Sequence, residues 1–152
     1  MAKKPAPPKR PDLPKDIARV VEKYYVSLFD EFPLVPAERL ALGAKLSPDY
    51  TRMLEELRAK VLFSGAIDEK TVQLMAVGHL AARASAGTYW HCKAARKLGA
   101  SWEEIHQAIE ISALFNGFSA INEGGQALVR LYKEEQAAKG GGKSARRRGL
   151  RN

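Results

Sequence analysis

Between Gly99 and Glu104 the chain carries one helix stop and one helix start, six residues that dictate two helices joined by a tight turn. Glycine enters the left-handed conformation that ends a helix without the clash a Cβ would bring. Ser101-Trp102-Glu103-Glu104 then reads as a capping box, in which the Glu104 amide donates to the serine oxygen and the Glu104 side chain reaches back to the Ser101 amide. Downstream, Ile105, Ala108, Ile109 and Ser112 keep helical spacing to about Asn116. Upstream, His91, Ala94, Ala95 and Leu98 follow i, i+3, i+4, i+7 spacing and share one face of a helix that opens near Gly87. A histidine at the head of a small-residue apolar stripe needs a hydrogen-bond partner, a ligand or a chemical task.

The same periodicity runs through the rest of the chain. Asp16 to about Phe32 places Ile17, Val20, Val21, Tyr24, Tyr25, Leu28 and Phe29 on one broad stripe, after which Pro33 and Pro36 are expected to break the helix. A short helix from Ala37 to about Lys45 follows, and Ser47-Pro48 offers an N-cap and a first-turn proline for a helix reaching about Phe63. Ser64-Gly65 ends it, and Asp68 can cap the next, through about Ala84. That helix is so nearly continuous in small and apolar residues that deep burial is expected. A last helix spans Phe118 to about Ala138. No β alternation or hairpin signal interrupts the pattern, so the fold class is all-α, a bundle of about six to seven helices.

The net charge of +8 dissolves when divided along the chain. Residues 1–16 carry +3 and residues 139–152 carry +6, which leaves the body between them at −1. The basic ends are rich in proline (1–15) or glycine and arginine (139–152) and read as flexible tails flanking a single domain, 16–138. Without interleaved aromatics for base stacking, such tails imply polyanion attraction but no specific nucleic-acid binding. No run of eighteen apolar residues and no secretory signal appear, so a cytoplasmic protein with no membrane partner is expected. Cys92 is the sole cysteine, which excludes an intrachain disulfide, a CxxC pair and a cysteine zinc site. The three histidines form neither HxxxH nor HExxH, and no metal is expected; His106, beside Glu103 and Glu110, reads as solvated.

The order of these features resembles the carboxymuconolactone decarboxylase and alkylhydroperoxidase D-like family. The resemblance covers about Tyr50 to Leu131: VLFSGAIDEKTVQLMAVG, the small-residue helix, HCKAARKLGASWEEI and NGFSAINEG. It implies an all-helical fold and assembly as a homo-oligomer, a trimer or hexamer with active sites near subunit contacts. The peroxidase-like branch carries a CxxC pair before its histidine and a glutamate on the preceding helix. Here Ala84 to Thr88 contain no cysteine, and Gln73 stands at the glutamate position once one residue of deletion is allowed. Thiol peroxidase chemistry is therefore disfavoured.

The decarboxylase branch keeps the histidine, matched by His91. The reaction implied is loss of carbon dioxide from a small carboxylated ring compound of aromatic breakdown, with no cofactor, because the substrate's own conjugation delocalises the charge. In that reading His91 stabilises the anion and returns a proton, and Glu123 orients it from another helix. Tyr89 and Trp90 would wall a pocket for a planar ring and Arg83 would hold the carboxylate, with His79, Gln73 and Asn122 completing the binding set. Each has a plainer alternative: Tyr89 and Trp90 as packing, Arg83 as a helix C-terminal partner, His79 as a core or subunit-contact residue, Glu123 as an exposed ion-pair member. A noncatalytic helical oligomer binding a small ligand or an acidic partner is the second functional reading.

Overall fold

The computed structural model describes residues 13–149, and every regular element among them is helical. Contacts within the chain group it into two compact units divided after Glu69, inside the stretch read above as one domain.

The first unit contains α1 (Lys15–Phe29), α2 (Leu34–Leu46) and α3 (Pro48–Leu62). The predicted apolar stripe of α1 makes the core, with Ile17, Val21, Tyr24, Tyr25, Leu28 and Phe29 each at most 3% exposed. α1 ends three residues earlier than the spacing suggested, because Asp30 turns left-handed at φ 60° and its amide bonds the Val26 carbonyl at 3.1 Å. Pro36 does not break the chain. It lies in the first turn of α2, where a missing N–H removes no helical bond. Ser47 is also corrected: its side chain caps nothing. Its backbone instead serves both helices, the amide donating to Gly43 and the carbonyl accepting from Thr51.

The second unit holds α4 (Glu69–Ala82), α5 (Gly87–Lys97), α6 (Trp102–Asn116) and α7 (Ser119–Gly149). α5 closes with both bonds of a Schellman motif, Gly99 N–H to Arg96 and Ala100 N–H to Ala95, with Gly99 at φ 90°. The capping box follows as the sequence predicts, 3.1 Å from the Glu104 amide to Ser101 Oγ and 2.7 Å from the Ser101 amide to Glu104 Oε2. α4 ends with the same motif around Ala84, left-handed at φ 49° although it carries a Cβ.

The core of this unit joins Val77 and Ala81 of α4, Tyr89, Cys92 and Ala95 of α5, Ile105 and Ile109 of α6, and Leu128 and Leu131 of α7. α4 is not buried all round as its composition suggested. Gln73, Val77 and Ala81 form the buried row, whereas Met75 is 49% exposed. α7 approaches closely at Gly124, where a Cβ would lie 2.7 Å from Ile109 Cγ2 and 3.0 Å from Ala81 Cβ. The helix runs past Ala138 to Gly149, so the basic stretch read as a flexible tail is helical to that point. No proline follows Ala138, and Lys, Ala and Arg favour a helix enough to carry it through three glycines. Of the other tail, read as residues 1–15, residues 1–12 lie outside the described residues and Lys15 already opens α1. Among the described residues no helix is long and apolar enough to cross a membrane.

Candidate functional site

His91 sits one turn into α5, half-buried. Its Nδ1 lies 2.8 Å from Gln73 Oε1, and Gln73 is only 1% exposed. An amide oxygen only accepts, so Nδ1 carries the hydrogen and the ring's second nitrogen is the one with the exchangeable proton or lone pair. A buried amide fixes the ring's orientation without adding charge. The orienting partner is therefore Gln73 rather than Glu123, which lies exposed on α7. Burial of the amide explains the exchange: a Gln73 side chain shielded from water needs a partner and finds it in the half-buried imidazole, whereas a carboxylate at the surface is already solvated.

The predicted aromatic walls belong to a different seam. Tyr89 is 8% exposed, and its hydroxyl donates to Glu134 Oε2 at 2.5 Å. Arg130 spans the same pair, its guanidinium 4.0 Å from the Tyr89 ring centroid and its Nε 3.1 Å from Glu134 Oε1. Partial burial works against the Glu134 charge, but the hydrogen bonds from Tyr89 and Arg130 outweigh it and hold the carboxyl below its usual range. Trp90 meets Tyr89 edge to face at 5.1 Å, with Lys93 Nζ 5.3 Å from its own ring centroid. Further along, Arg96 stacks 4.3 Å from Trp102 and reaches Glu135 at 3.3 Å and the Ala100 carbonyl. This α5–α7 seam of alternating rings and charges was not found from sequence. The available signal was the i, i+4 pair Arg130 and Glu134 on one face of α7.

The remaining predicted residues scatter. Arg83 is exposed just beyond α4, and Asn122 lines a shallow groove along α7 with Arg130 and Glu134. His79 lines a separate groove of about 610 Å³ whose walls come from α4 and α6, among them Leu74, Met75, Ala108, Ile111 and Phe115. Ser112 and Asn116 also line it, but both spend their side chains internally, on the Gly78 and Ser112 carbonyls. His106 pairs with Glu110 at 3.3 Å on the exposed face of α6, as expected. Among the described residues no cluster of three or more His, Cys, Asp or Glu could hold a metal ion.

Cys92 is fully buried in the core, and burial pushes its thiol up to about 12. A thiol held neutral and out of solvent is a poor nucleophile.

The sequence matches the profile of the carboxymuconolactone decarboxylase family over residues 48–129. Among curated proteins none matches. Among solved structures, a candidate carboxymuconolactone decarboxylase from Burkholderia xenovorans LB400 is similar in fold, with a TM-score of 0.66 and 24% sequence identity over 82% of this chain and 96% of that one.

Proposed function

The chain belongs to the carboxymuconolactone decarboxylase family, and on that premise we propose that it is a cofactor-independent lyase acting on a small carboxylated ring compound. The observation that carries the reading is the hydrogen bond from the half-buried His91 Nδ1 to the buried Gln73. In the reaction, the bond between ring carbon and carboxyl breaks and carbon dioxide leaves. The electron pair spreads into the conjugated ring, and a proton from His91 Nε2 neutralises it. Gln73 keeps the imidazole in register for that transfer. Its amide brings no charge of its own to the ring. The absence of thiols from Ala84 to Thr88 and the burial of Cys92 argue against peroxide reduction by the same site.

The test is direct. Wild type, His91→Ala and Gln73→Leu are incubated with carboxymuconolactone and related ring acids, following ultraviolet absorbance and carbon dioxide release. Removing the proton donor is expected to cost about 10²–10⁴-fold in turnover, with a smaller loss for Gln73→Leu. Equal turnover by wild type and His91→Ala would remove His91 from the mechanism. No turnover of any ring acid would favour a noncatalytic ligand-binding protein.

A further inference from the structure

A polar cluster sits among the apolar side chains of the first unit. Glu55 of α3 is 2% exposed, and its Oε1 accepts from Arg39 of α2 at 2.7 Å. Arg58, one turn further along α3, lies 3.5 Å from Glu55 Oε2 and reaches α1, its guanidinium 5.9 Å from the Tyr24 ring centroid. Tyr25 of α1, also 2% exposed, meets Tyr24 edge to face at 4.6 Å. Burial pushes the Tyr25 hydroxyl above its ordinary range, and Arg58, Glu55 and Arg39 all act on its charge, so the hydroxyl belongs to the same cluster. Two atoms are left over. Tyr25 Oη and Glu55 Oε2 are both buried, and neither meets a hydrogen-bond partner among the described residues. Buried polar atoms are rarely left so, because nothing then replaces the water they gave up on folding.

We propose that one ordered water occupies a site between these two atoms, accepting from Tyr25 Oη and donating to Glu55 Oε2, and so ties α1 to the ion pair of α2 and α3. Chemistry narrows the occupant. A carboxylate oxygen only accepts, so the ligand must donate to Glu55; the phenol hydrogen needs an acceptor, so the same ligand must also accept. An anion would sit against the Glu55 carboxylate, and a cation against the guanidiniums of Arg39 and Arg58. A neutral molecule that both donates and accepts remains, and water is the smallest. The site lies inside one unit and is independent of the chemistry proposed for His91.

Oxygen-17 magnetic relaxation dispersion on the full chain counts long-lived internal waters. Tyr25→Phe, which keeps the ring and removes the hydroxyl, is expected to lower that count by one while far-ultraviolet circular dichroism stays unchanged. An equal count in folded Tyr25→Phe would overturn the proposal. A crystal of wild type soaked in bromide gives a second reading that needs no variant. An oxygen peak at about 2.7–3.0 Å from both Tyr25 Oη and Glu55 Oε2, with no anomalous signal, is expected. A bromide signal at that position, a direct bond from Tyr25 to Glu55, or no density between them would equally overturn it.

Discussion

Gly124 and Gly125 are neighbours in α7, yet alanine at each should move stability in opposite directions. Replacing a helical glycine with alanine ordinarily stabilises by roughly 0.5–1 kcal/mol, because the unfolded chain loses freedom. At Gly125 nothing lies within 4 Å of the added Cβ, so the full gain is expected. At Gly124 the Cβ would lie 2.7 Å and 3.0 Å from the two γ carbons of Ile109 and 3.0 Å from Ala81 Cβ. Ile109 is branched and 1% exposed, and Ala81 cannot yield without moving α4. Overpacking of this kind costs about 1–3 kcal/mol, enough to reverse the helix gain and leave a net loss of about 1–2 kcal/mol. The two variants should therefore differ by about 2–3 kcal/mol, or roughly 5–10 °C in Tm at this chain length. Both tryptophans, Trp90 and Trp102, lie in the second unit, so their fluorescence during urea or thermal unfolding reports on the unit that contains the change. Shifts of the same sign in both variants would refute the close approach of α7 to α4 and α6.

Ser101→Ala removes the acceptor of the Glu104 amide and should cost about 1 kcal/mol in unfolding free energy, whereas Ser47→Ala, whose hydroxyl caps nothing, should cost far less. Ala84→Gly should stabilise by about 1 kcal/mol in the same measurement, because it relieves a left-handed alanine at a helix end. Cys92 should resist a disulfide reagent in the native protein and react on unfolding; reaction at the rate of a free thiol would contradict its burial. Its raised pKa also has a sign: the folded state keeps the proton to about 12 while the unfolded thiol loses it near 9, so the contribution is complete below pH 9 and is lost as pH rises through that window. Unfolding titrations should show wild type losing up to about 1.4 kcal/mol per pH unit more than Cys92→Ala there, and parallel curves would count against it.

The turn from Gly99 to Glu104 was legible because its determinants are local: a left-handed glycine and a reciprocal cap involve only residues within one turn of each other. Helix ends set by backbone geometry were less so. Asp30 and Ala84 turn left-handed without being glycine, and Pro36 sits in a first turn that tolerates it. Propensity ranks such residues but does not forbid them, so the surrounding packing decides. The extent of α7 was missed for a related reason, since glycine lowers helix stability without stopping a helix as proline does.

The surroundings of His91 follow from helical phase more than from residue type. At 100° per residue, Tyr89 and His91 point about 200° apart on α5, so they cannot wall one cavity. Tyr89 accordingly meets α7 at Glu134, while His91 meets α4 at Gln73. On α4 the buried row is Gln73, Val77 and Ala81, spaced by four, with one polar member. On α5 the stripe of Ala94 and Ala95 is headed by one polar member, His91. Each stripe alone suggests a polar group in need of a partner, and the charged Glu123 is the residue that the sequence offers for His91. The two polar interruptions resolve each other, because leaving the buried Gln73 amide unpaired would cost about 1–3 kcal/mol. A neutral polar residue that breaks an i, i+4 apolar row thus orients this half-buried imidazole where a surface charge does not.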